Sequence, residues 1–236
     1  MQPTLYEQLA ALFDFPGPEF AAHGAVAVEA VQAAYPEAAS VLQRFLAGIP
    51  SRMVDQQELY TRTFDVQATT TLDIGYILFG DDYKRAKLLA HLTREHRQQA
   101  NDCRGELADH LPNLLRLLPK MPDAELRAEL VSEILVPALL LMRREFDTER
   151  IEKKNAHYQK HYRTLLDTAP GEARTIYAQA LDALLLVLQH DFQVAAQIER
   201  LTAWSSRPQS TDFLGLVGKE MEIETEVNPH NSGCDS

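Results

Sequence analysis

Apolar side chains in this chain recur every three to five residues, in runs broken by proline and glycine, and that spacing commits it to helices. Leu5, Leu9, Leu12 and Phe13 make the first stripe, and Leu114, Leu115, Leu117 and Leu118 make another. A longer one runs through Leu126, Leu130, Ile134, Leu135, Leu139 and Met142. No pair of segments reads as a strand pair or hairpin, and no internal repeat is visible. With 236 residues, 45% of them apolar, the chain is long enough to bury a real core. The expectation is an all-α, single-domain bundle of many helices with strand content near nil.

Punctuation sets the expected boundaries. Thr4 followed by Glu7 has the capping-box pattern and opens a helix that ends before Pro16-Gly17-Pro18. A second helix is expected from about Glu19 to Ala34, and a third from Pro36, which suits a first turn, to the Gly48-Ile49-Pro50 break. A fourth runs from Asp55 to Phe64. Ala68 to Thr71 is polar and β-branched, so it reads as a connection before helices over Leu72 to Phe79 and Asp82 to about Cys103. Gly105 interrupts, Pro112 opens the next helix, and Pro119 and Pro122 bracket a turn. The long stripe that follows is expected to kink at Pro137 and to continue, highly charged, from Arg143 to Lys154. Pro170-Gly171 then precedes helices over Glu172 to Gln189 and Phe192 to about Trp204. The body is thus expected over 1–204, with an acidic, mobile tail over 205–236 carrying Glu220, Glu222, Glu224 and Glu226.

The formal charge of −11 opposes nonspecific nucleic-acid binding, which needs clustered cations, and is compatible with a basic partner. Cys103 and Cys234 are far apart and form no C-x-x-C, so neither a disulfide framework nor a thiolate zinc site is expected. Met1 to Phe20 lacks the basic and apolar regions of a secretory signal. The most apolar runs, Ile134 to Met142 and Ala183 to Leu188, fall well short of the ~20 residues that span a bilayer. A cytoplasmic protein in a reducing compartment, without stable membrane association, is the resulting expectation.

No G-x-S-x-G elbow, phosphate-binding P-loop or G-x-G-x-x-G fingerprint is present, so neither a catalytic constellation nor a cofactor is expected. Histidines raise one alternative. His157 and His161 lie one turn apart, and His91 and His96 flank Glu95. The latter pair is five apart, where H-E-x-x-H needs four with glutamate beside the first. A small helical metal-dependent enzyme using His91, His96, His157 or His161 with nearby carboxylates is the reading these residues leave open. The favoured reading has no metal site.

Tyr60 and Phe64 lie four apart on one helix face, and Leu72, Tyr76 and Phe79 resume that stripe before Gly80 stops it. Asp65 either caps the next segment or holds a guanidinium of a partner. Gly80 reads as a C-cap, Asp81 or Asp82 as the N-cap of the next helix and Arg85 as a first-turn arginine, or Gly80, Asp81 and Arg85 as partner contacts. Asp109 and His110, ahead of Leu111 and Pro112, either cap a short turn or donate and accept hydrogen bonds in recognition. The two blocks, Tyr60 to Leu92 and Glu106 to Leu118, together resemble the signature of the NarJ/TorD/DmsD family, and the NarJ branch fits best. Ala86 stands where many relatives have glycine.

The resemblance implies a cytoplasmic assembly chaperone with the TorD/NarJ-like bundle over 1–204. Its partner would be the N-terminal peptide of an apo molybdopterin oxidoreductase catalytic subunit, nitrate reductase or a relative, held open for molybdenum cofactor insertion. It implies client contacts at Tyr60, Phe64, Asp65, Tyr76, Asp109 and His110. Leu72, Gly80, Asp81, Arg85, Leu111 and Pro112 would be structural. It implies no enzymatic activity and either a monomer or a helix-exchanged dimer.

Overall fold

The computed structural model describes residues 3–162 and 175–205, and every regular element in them is helical. In chain order these are α1 (Pro3–Ala11), α2 (Phe20–Gln32), α3 (Pro36–Gly48), α4 (Met53–Phe64), α5 (Ile74–Phe79) and α6 (Tyr83–Gln98). Then follow α7 (Leu111–Leu117), α8 (Ala124–Glu129), α9 (Val136–Arg144), α10 (Thr148–Tyr162), α11 (Ile176–Phe192) and α12 (Ala195–Ser205). The chain divides into two compact units, Met1–Thr202 and Ala203–Ser236, and the core found among the described residues lies in the first. The tail expected beyond Ser205, and the Pro170-Gly171 break, lie outside the described residues. No described helix is long and apolar enough to cross a membrane.

α11 organises the bundle. Its residues Tyr177, Leu181, Leu184 and Leu188 are buried, and so are Ala178, Ala180, Ala183 and Val187 between them. A helix apolar nearly all round is stable only when neighbours cover it on most sides, and here α3 and α9 do so. α1 packs on α2 and α7, and α5 packs on α6 and α9. The rings of Phe45, Tyr60, Phe64 and Tyr177 meet at tilted and edge-on angles, joining α3, α4 and α11. The Tyr60 hydroxyl donates to the Phe13 carbonyl at 3.1 Å, tying this cluster to the end of the α1 segment.

Several boundaries differ from expectation for identifiable reasons. Thr4 is already inside α1, so it caps nothing, and Glu7 turns instead to Arg116 of α7. Leu72 and Asp73 lie outside the helix, with Asp73 extended, because they hydrogen-bond to the segment before α7. α6 stops at Gln98, where Ala100 (φ 49°) and Arg104 (φ 53°) carry the backbone into left-handed conformation. The charged stretch Arg143 to Lys154 is broken after Arg144, and α10 starts afresh at Thr148.

The kink expected at Pro137 takes an unforeseen form. Leu130–Leu135 between α8 and α9 is a π-helical turn, with the Val136 N–H reaching back to the Val131 carbonyl. Proline clashes with the carbonyl four residues before it, and a wider turn relieves that clash. In this register Pro137 has no N–H to offer the Ser132 carbonyl, and Gln197 Nε2 of α12 supplies the missing donor at 2.6 Å. Gln197→Leu would leave that carbonyl unpaired. The expected cost is about 1–3 kcal/mol, read as a lowered urea midpoint with an unchanged denaturant slope.

Candidate functional site

The segments before α5 and α7 lie side by side. Asp73 and His110 form an isolated antiparallel bridge, flanked by Ile74 N donating to the Asp109 carbonyl (3.0 Å) and Leu111 N to the Leu72 carbonyl (2.9 Å). Threonines at 69–71 disfavour helix before this point, and His110 is extended at the N-cap of α7 (ψ 129°). Leu72 and Leu111 are fully buried beneath the bridge, and Pro112, also buried, opens α7.

Three charged side chains close over this backbone pairing. Asp109 is wholly buried, and its Oδ2 accepts from Arg85 Nε at 3.0 Å and from Gly75 N at 3.2 Å. Arg85 Nη2 donates to Asp73 Oδ2 at 3.0 Å, and His110 Nδ1 lies 3.2 Å from Asp73 Oδ1. The guanidinium also sits 5.3 Å from the centre of the Tyr76 ring, within cation–π range. A rigid planar fork suits this task, since it serves two carboxylates and a ring face at once. Gly75 is required by the closeness: a Cβ there would stand 2.7 Å from Asp109 Oδ2.

Electrostatics follow the geometry. The hydrogen bond from His110, and then Arg85, outweigh burial and hold the Asp73 carboxyl below its usual range. Burial pulls the Arg85 guanidinium down, but its bonds to Asp109 and Asp73 more than offset this and keep it charged. Asp109 Oδ1 has no partner among the described residues.

The loop that delivers Asp109 is pinned separately. His96 of α6 is buried, its Nε2 lies 2.9 Å from the Ala108 carbonyl, and its Nδ1 lies 2.9 Å from Asn101 Nδ2. With both nitrogens engaged, His96 has none left for a metal, and burial lowers its pKa. Asn113 Nδ2 donates to the carbonyls of Cys103 and Leu107. Arg116, only 4% exposed, pairs with Glu7 and Asp14, and Arg104 pairs with the same two carboxylates. Both ends of the loop are therefore fastened to α1 and α7.

The residues expected to form a client groove separate into two sets. Tyr60 and Phe64 are 6% and 5% exposed, with their rings committed to the core. Burial, and then the nearby Asp65 charge, push the Tyr60 phenol up. Asp109 is likewise out of a partner's reach in this conformation. Asp65 and Tyr76 are exposed, and His110 is partly so. Asp65 follows α4 as its C-cap and caps no later segment. Gly80 ends α5 with φ 60°, a conformation that favours glycine, and of the two candidate caps Asp82 is the one that caps α6, accepting from Lys84 N at 2.9 Å. Arg85 is no surface punctuation mark but the centre of the cluster. Sequence reasoning passed over Asp73 and Gly75; an aspartate directly before the Ile74 apolar run was the available signal.

Around the cluster lies a mixed surface. Phe15, Val66, Tyr76 and Leu107 are each about half exposed, and Phe15 meets the Tyr60 ring edge-on at 5.4 Å. Desolvation, and then the neighbouring Glu106 charge, hold the Asp65 carboxyl above the usual range, with His110 opposing. Neither Asp65 nor Glu106 has an ion-pair partner among the described residues.

Two outcomes are expected. Arg85→Leu strands a buried carboxylate and should cost about 3–5 kcal/mol, whereas Arg85→Leu with Asp109→Asn should recover part of that loss in chemical denaturation. His96 stays neutral in the fold at pH values where the unfolded chain protonates it, so the unfolded state binds more protons. Its contribution is complete above about pH 6.5 and is lost as pH falls below that value. Urea midpoints measured across this window should drop in the parent protein and flatten in His96→Gln.

Compared with known proteins, the chain matches no protein-family model and no curated sequence.

Proposed function

We propose that the chain is a maturation chaperone for a molybdenum oxidoreductase, binding the N-terminal segment of the apo catalytic subunit while the cofactor is inserted. The client class, nitrate reductase or a related enzyme of the same superfamily, comes from the motif resemblance. The observation that supports the binding mode is the pair of carboxylates with no cation among the described residues, Asp65 and Glu106, each followed by an exposed aliphatic side chain, Val66 and Leu107.

An amphipathic helix suits such a surface. Its apolar face lies on Phe15, Val66, Leu107 and Tyr76, and its lysines or arginines meet Asp65 and Glu106. Asp109, Arg85 and Asp73 act from beneath as positioning residues: they hold Tyr76 and His110 in place without touching the client. Tyr60 supports Phe15 in the same manner. A client segment that orders on binding loses entropy in doing so, which keeps affinity modest and release easy, as a transient chaperone requires.

Calorimetry with the N-terminal peptide of the molybdenum subunit encoded beside this chain tests the reading. Binding should weaken with added salt, and Asp65→Asn and Glu106→Gln should each weaken it by about two- to fivefold. Because the Asp65 carboxyl sits above its ordinary range, affinity should begin to fall on acidification at a higher pH than for a free aspartate. Absence of binding at high micromolar peptide would sink the proposal.

A further inference from the structure

The C-terminal end of α11 holds another charged arrangement, built from different residues. The Asp191 side chain is only 5% exposed, and its two oxygens accept from Tyr6 at 3.0 Å and Tyr35 at 2.7 Å. Burial first, and the Asp191 carboxylate with it, raise both phenols, so both remain donors across the physiological range. No lysine or arginine pairs with Asp191 among the described residues; the exposed His190 lies 3.4 Å from its Oδ1. A carboxylate has about four acceptor positions, and the two phenols and His190 occupy three of those on Asp191.

Asp191 lines an open cleft of about 330 Å³ together with Phe192, Gln193, Ala124, Arg127 and Ala128. That volume lies at the small end of the roughly 300–1,000 Å³ typical of ligand sites. Arg127 commits Nη1 to the Met121 carbonyl at 2.6 Å, and its remaining N–H groups have no partner among the described residues. The last carbonyls of a helix lack intrahelical donors and carry the negative end of its dipole. At Gln193 the backbone turns left-handed (φ 55°, ψ 36°), ending α11 at the cleft. The cleft therefore offers a carboxylate, a guanidinium whose other N–H groups have no partner among the described residues, and small or aromatic apolar surface from Ala124, Ala128 and Phe192.

We propose that this cleft binds a free α-amino acid with an apolar side chain. Its ammonium group sits against Asp191 and the closing carbonyls of α11, its carboxylate against Arg127, and its side chain on the alanines and Phe192. The site owes nothing to the client-binding reading and stands or falls separately from it.

The test is calorimetry of the full chain with L-leucine and two analogues that each lack one charge, isoamylamine and isocaproate. Leucine should bind saturably at one site, and each analogue roughly tenfold more weakly. Arg127→Gln should erase the difference between leucine and isoamylamine, and Asp191→Asn the difference between leucine and isocaproate. Ala128→Phe, at an exposed position, should block all binding while leaving the melting temperature unchanged, which keeps the test decisive should Asp191→Asn fail to fold. No saturable heat up to about 10 mM leucine, equal affinity for the three probes, or undiminished binding to Ala128→Phe would overturn the proposal.

Discussion

A carboxylate with no exposed surface has to be answered from within the protein, and Asp109 is answered by Arg85. Ionised groups removed from water are tolerated only when paired and hydrogen-bonded. That requirement fixes several other features. Arg85 must lie in the first turn of α6, so the break at Gly80 and the cap at Asp82 set the angle at which α6 leaves α5. Residue 75 must be glycine to admit the carboxylate, and the loop after α6 must return to α7 with Asp109 in register opposite Ile74. The His96 and Asn113 hydrogen bonds and the Arg116 and Arg104 ion pairs secure that return.

Buried and exposed carboxylates therefore lie close together in this part of the molecule. The acids with internal cations, Asp73 and Asp109, define position. Asp65 and Glu106 have no such cation among the described residues and face solvent. An ion pair at a surface contributes little to stability, so leaving Asp65 and Glu106 unpaired costs the fold little, and the −11 net charge reinforces the field they project.

Helical class and most element positions are legible in the chain, because apolar periodicity and Pro/Gly punctuation are local signals. Depth was harder to read. Tyr60 and Phe64 have the same spacing whether they face a groove or a core; what buries them is Tyr177, more than a hundred residues away. Arg85 resembled a solvated first-turn side chain, since its partners Asp73 and Asp109 come from two other segments and meet it only through the tertiary bridge. Pro137 announced a kink, yet the π-turn depends on Gln197, sixty residues on, accepting the role of donor. Asp191 escaped notice for the same reason, with its tyrosines supplied by α1 and the turn before α3.

The Arg85 guanidinium over the Tyr76 ring has a further consequence for entropy. A half-exposed tyrosine on a short surface helix ordinarily samples several rotamers and loses that freedom when something docks on it. Here one face of the ring lies against a guanidinium that is itself immobilised by two carboxylates. The rotamer loss is therefore met during folding, and the ring is held as a preorganised aromatic surface. The most deeply buried charge in the cluster thus acts on the outside of the molecule by restricting motion, through a side chain it never touches.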